Sequence, residues 1–130
     1  MVRITKSHVL GLIAISFGVL TVRSGGTALF GGPEASAAAG NVVPFVLWFN
    51  FMAGFAYMAA GVAILAEHRP AKPLSVTIAL ATMAVFTAFL MHVAFGGAYE
   101  LRTLLAMLVR ISVWLGIAAG LRNPRPIISR

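Results

Sequence analysis

Arg110 stands in the middle of an apolar run, and it is the residue in this chain whose chemistry most needs an explanation. It lies about ten residues into the last of four such runs, which at ~1.5 Å per residue places it ~15 Å deep in a membrane-spanning helix. A central arginine costs at least ~2.5 kcal/mol to insert. Its guanidinium stays protonated in any protein environment, so the charge must be compensated where it stands. The side chain is therefore expected to point into a helix bundle. At least one of Asn50, Tyr57 and His92 is expected within hydrogen-bonding reach, or one water away. Glu100 lies nearly three turns off on the same helix and cannot pair with it directly. Trp114, one turn further on, offers a cation–π contact.

Glu100, Thr103, Met107, Arg110 and Trp114 recur at i+3/i+4 spacing and fall on one helical stripe. If Asn50 and Tyr57 of the second helix and His92 of the third turn toward that stripe, the six residues Arg110, His92, Asn50, Tyr57, Glu100 and Trp114 line one polar pocket open at the outer face. In that pocket Arg110 would bind or orient an anionic or carbonyl-bearing ligand such as a quinone or a lipid headgroup, with His92 and Asn50 hydrogen-bonding beside it. Two plainer readings compete. A lone transmembrane histidine or asparagine is often an interhelical hydrogen bond, and Arg110 would then cap backbone carbonyls in a packing subunit. The same pocket would equally suit a permeation site in a small transporter or channel for an anionic or polar solute.

Other chemistries find less support. No Ser-His-Asp arrangement, phosphate loop or dinucleotide fingerprint occurs, so the chain does not read as an enzyme on its own. The absence of cysteine excludes disulfides and thiolate metal sites. The remaining histidines and carboxylates do not form a ligand spacing for zinc or iron. A bis-histidine haem would need His8 and His68 to face each other across the core. Both instead fall at helix ends beside lysine and arginine, and haem is disfavoured.

Four helices must position these residues. Apolar runs of about 20 residues match the hydrocarbon thickness of a bilayer. The expected spans are 8–24, 44–66, 74–95 and 100–121, the first with a possible extension toward Phe30. Gly32-Pro33-Glu34 reads as a helix start and Gly40-Asn41 as a stop, which gives a short interfacial helix over 33–39. His68-Arg69-Pro70-Ala71-Lys72-Pro73 forms a tight basic turn, and Asn123-Pro124-Arg125-Pro126 ends the last helix. Arg3 and Lys6 before an apolar run also resemble a secretory signal. The small-residue stretch Ala35–Ala39 lies too far beyond that run to serve as its cleavage site, so the segment reads as a retained helix.

Composition agrees: 60% of the residues are hydrophobic and 10% charged, with three acids in all, too few for a soluble surface. The net charge of +7 suits helix-flanking basic residues better than nucleic-acid binding. Arg3, Lys6, Arg69, Lys72, Arg122, Arg125 and Arg130 fall on one side of the expected topology, against Arg23 and Arg102 on the other. That bias places both termini in the cytoplasm. The expected fold is a single all-α domain, an antiparallel bundle of four transmembrane helices in a bacterial inner membrane. Ser112, Gly116 and Gly120 form a small-residue stripe for close helix packing, within the chain or against other membrane subunits or a second copy.

The segment Val22-Arg23-Ser24-Gly25-Gly26-Thr27-Ala28-Leu29-Phe30, together with the size, four helices and an extended first outer loop, resembles the DoxX-like group of small bacterial membrane proteins. That resemblance implies association with membrane redox systems and quinone-linked oxidation. The functional expectation is an accessory or ligand-binding subunit of such a system.

Overall fold

A computed structural model describes residues 5–121 of the chain, and within them the protein is helical, without strands. Arg3, Arg122, Arg125 and Arg130 of the basic count, and the stop signal at Asn123-Pro124, lie outside the described residues. Five helices follow in order: α1 (Lys6–Phe30), α2 (Pro33–Ala39), α3 (Pro44–Leu65), α4 (Ala71–Ala94) and α5 (Leu101–Gly120). All but α2 are long and apolar enough to cross a membrane. Their outward faces are apolar too: Leu12, Leu20, Met52, Leu80 and Leu101 are each about 60% exposed. Helices hydrophobic nearly all round need an apolar solvent, and a lipid bilayer supplies one.

Local chemistry sets the ends. Thr5 caps α1 in a reciprocal box: its hydroxyl accepts from the His8 N–H, and His8 Nδ1 accepts from the Thr5 N–H at 3.1 Å. His8 is thus engaged as a capping residue. α1 continues past 24 to Phe30, along the extension its sequence allowed, because Gly25 and Gly26 are held by packing rather than breaking the helix; Gly25 abuts Phe51. α4 starts three residues earlier than expected. Pro73 sits in its first turn, where the backbone N–H it lacks would have no partner anyway. α3 and α4 both end in Schellman motifs. In α4, the N–H groups of Gly96 and Gly97 donate to Val93 and His92 carbonyls, with Gly96 at φ +84. In α3 the equivalent left-handed position holds Glu67, at φ +55.

The closest helix approach is between α1 and α3. Gly11, Gly18 and Gly25 recur every seven residues on α1, with Ala14 and Thr21 between them, and all five are buried. Across from them stand Gly61, Gly54 and Phe51, the partner numbers falling as those of α1 rise. A β-carbon on Gly18 would lie 2.7 Å from the Gly54 carbonyl oxygen, and one on Gly61 would lie 2.9 Å from that of Gly11. Only glycine permits such contact, the form of packing on which helices in lipid rely.

The Ser112, Gly116 and Gly120 stripe does not serve this purpose. Ser112 and Gly116 are exposed, and among the described residues a β-carbon on Gly116 would meet nothing within 4 Å and one on Gly120 would meet first the side chains of Leu10 and Lys6. The seven-residue glycine repeat of α1 takes the role that sequence spacing assigned to α5. Beyond this pair, α3 packs on α4 and α4 on α5, whereas α1 and α5 barely meet.

Candidate functional site

Halfway along the spans, one side chain from each of the four long helices reaches a common level: Phe17 of α1, Tyr57 of α3, Thr82 of α4 and Arg110 of α5. Trp114 joins them one turn below Arg110. Phe17 and Tyr57 stack with ring centroids 5.6 Å apart and planes 22° from parallel, and the Tyr57 ring lies 4.9 Å from that of Trp114. The Arg110 guanidinium carbon stands 5.9 Å from the Phe17 ring centre, within cation–π range. Its aromatic neighbour is thus Phe17 rather than the expected Trp114. Tyr57, Thr82 and Trp114 are completely buried, and Arg110 is half-buried.

The hydrogen bonding of this level is unbalanced. Arg110 Nε, Tyr57 Oη and Trp114 Nε1 are buried, and each lacks a partner among the described residues. Tyr57 Oη lies beside Arg110 and Thr82 but outside hydrogen-bond geometry with either, and the Thr82 hydroxyl gives its proton to the Ile78 carbonyl at 2.7 Å. The three orphan groups share one capacity, an N–H or O–H to donate. An unmet buried donor costs roughly 1–3 kcal/mol. No acid offsets the guanidinium here, since Glu34, Glu67 and Glu100 all stand at helix ends or in the connections. What this level lacks is a hydrogen-bond acceptor beside its stacked rings, such as a carbonyl or anionic oxygen.

The six expected site residues do not form one pocket. Arg110, Tyr57 and Trp114 share the middle level. Asn50 lies two turns away along α3, where it lines a cleft of about 60 Å³ with Val42, Val43, Val46, Leu47 and Thr103. Val43, Val46, Phe89 and Met107 form a buried apolar cluster at that end, and Met107 stands on α5 between Thr103 and Arg110.

His92, in the last turn of α4, and Glu100, at the start of α5, serve the connections. The His92 ring hydrogen-bonds the Ala98 carbonyl at 2.9 Å through Nε2 and crowds Gly97, bracing the turn after α4. The Glu100 carboxylate accepts the Asn41 N–H at 2.8 Å. Beside it, the Arg102 guanidinium donates to the Ala38 and Ala39 carbonyls at 3.1 and 3.3 Å, meeting the negative end of α2. These two residues fasten the first connection to the last helix.

Sequence reasoning missed Phe17 and Thr82. Nothing about an apolar phenylalanine or a back-bonded threonine distinguishes them from core residues until the helices are placed. Among the described residues, no three histidines, cysteines or acids gather as metal ligands. In comparisons with protein-family models, curated proteins and solved structures, no match to this chain emerges.

Proposed function

We propose that the chain is an integral membrane ligand-binding or accessory subunit of a quinone-linked redox system, with Arg110 as the anchor of the ligand. It forms an antiparallel bundle of four transmembrane helices in a bacterial inner membrane, both termini cytoplasmic. One observation carries this reading: three buried donors, on Arg110, Tyr57 and Trp114, stand at mid-depth with no hydrogen-bond partner among the described residues. A ligand that brings a carbonyl or anionic oxygen removes the cost of leaving them unmet, and that cost becomes binding free energy. Phe17, half-buried at the edge of the stack it forms with the fully buried Tyr57 and Trp114, is the ring a flat headgroup would meet. α1 and α5 scarcely touch, which leaves the Phe17–Arg110 side as the route by which a membrane-dissolved molecule reaches the guanidinium. A quinone headgroup has the required carbonyls, ring and lipid solubility. The resemblance to DoxX-like proteins supports the same assignment.

The test is extraction from native membrane into polymer-bounded discs, without detergent, followed by mass spectrometry of the small molecules retained. Wild-type protein should carry quinone in near-stoichiometric amount, and Arg110→Leu should carry no more than an equal area of bare membrane. Equal quinone in both preparations would refute the assignment. A stoichiometric anionic lipid lost in the variant would keep Arg110 as the anchor but replace the ligand.

A further inference from the structure

The cleft beside Asn50 is a separate place, about 10 Å along α3 from Tyr57 at seven residues' distance. Its volume of about 60 Å³ is several times what one water requires. Asn50 is 9% exposed and its Oδ1 is buried without a partner among the described residues. A helical side chain leans toward the helix N-terminus, so Asn50 tilts toward the first turn of α3 and the cleft wall at Val46. That first turn has no side-chain cap and begins with Pro44, leaving the Phe45 and Val46 N–H groups without helical acceptors. Thr103 brings a hydroxyl from α5.

We infer that this cleft is a binding site for a single hydroxyl-bearing group, seated between Asn50 and Thr103 beneath the Gly40–Val43 linker. The polar groups around it are neutral: an amide, a hydroxyl and peptide N–H groups. A hydroxyl both donates and accepts, so it satisfies the Asn50 amide whichever of its ends faces the cleft. A cation is opposed by the positive end of α3, and an anion by the Glu100 carboxylate bound to Asn41 N–H. The roof is fixed by that carboxylate and by Arg102 on the Ala38 and Ala39 carbonyls. Gly40, at φ +75, is pressed against Glu100, where a β-carbon would collide with the carboxylate. The hydroxyl comes from water or from a glycerol-type lipid headgroup. Neither source depends on what Arg110 binds.

Hydroxyl-radical footprinting in lipid nanodiscs tests the site. Val43 and Val46 are 2% and 1% exposed yet line the cleft, whereas Phe89, 0% exposed in the same apolar cluster, does not. In phosphatidylcholine, whose headgroup has no hydroxyl, Val46 should be oxidised several-fold faster than Phe89 after correction for intrinsic reactivity. Asn50→Leu should abolish that excess. Thr103→Val, isosteric and on a half-exposed position, should cut it even if Asn50→Leu fails to fold. In phosphatidylglycerol, an unchanged excess assigns the site to water, and a suppressed one assigns it to the lipid hydroxyl; both sustain the proposal. Val46 labelled no faster than Phe89 in phosphatidylcholine would overturn it. So would an excess indifferent to both substitutions.

Discussion

Replacing Arg110 with leucine should stabilise the ligand-free protein. On insertion scales a central leucine is favourable by about 0.5 kcal/mol and a central arginine unfavourable by about 2.5–3.5, so the exchange gains about 3–4 kcal/mol. Against this stands the loss of the guanidinium over Phe17, 5.9 Å from the ring centre, worth about 0.5–2 kcal/mol. Arg110 Nε has no bond to lose among the described residues. The net expectation is a gain of about 1–3.5 kcal/mol, in line with other buried charges replaced by apolar groups. Reversible denaturation of delipidated protein in mixed micelles measures it. With ligand added at a hundredfold its Kd, wild type should recover about 2.7 kcal/mol by mass action, and the variant nothing. A variant that loses 3 kcal/mol or more in the ligand-free state would refute the reasoning. Arg110 would then be satisfied inside the chain and would serve packing rather than binding.

Gly18→Val should destabilise the α1–α3 pair by at least the 1–3 kcal/mol of an overpacked contact, since a β-carbon there meets the Gly54 carbonyl and Met58; Gly116→Ala, where a β-carbon meets none of the described residues, should raise stability by about 0.5–1 kcal/mol through helix propensity alone, and the same denaturation assay reads both. Glu67→Gly should raise stability by about 1 kcal/mol through relief of a left-handed conformation at φ +55, visible as a higher midpoint in that assay. A reporter fused after Arg130 should be active only if it works in the cytoplasm; strong periplasmic phosphatase activity from that fusion would invert the topology.

The spans themselves were legible, because 20 apolar residues in a row leave little choice but a membrane-crossing helix. The punctuation around α2 was equally plain: Pro33 opens it, and Gly40 at positive φ closes it. Arg110 announced itself by charge alone. Its surroundings did not, because in lipid both faces of a helix are apolar and periodicity no longer reports which side is inward. The spacing of polar residues therefore joined His92 and Glu100 to a pocket they do not enter. A transmembrane histidine and a turn-bracing histidine look the same until the following loop folds back onto it. The glycine repeat 11, 18, 25 was present in the sequence as a seven-residue period and was the better packing signal. Its spacing is longer than the four-residue stripe at Ser112, Gly116 and Gly120, which drew attention to the wrong helix.

The central claim is that Arg110 and its aromatic neighbours hold an acceptor-bearing ring at mid-membrane, and Trp114 is placed to report it. The other tryptophan, Trp48, stands in the second turn of α3, more than two turns from Tyr57, and is half-exposed; Trp48→Phe leaves Trp114 as the sole indole. Titrating a short-chain quinone into proteoliposomes of that variant should quench its fluorescence along a saturable curve, and adding Arg110→Leu should reduce the curve to the shallow linear quenching of collisions in lipid. Saturable quenching that persists without Arg110, or linear quenching in both proteins, would contradict the account.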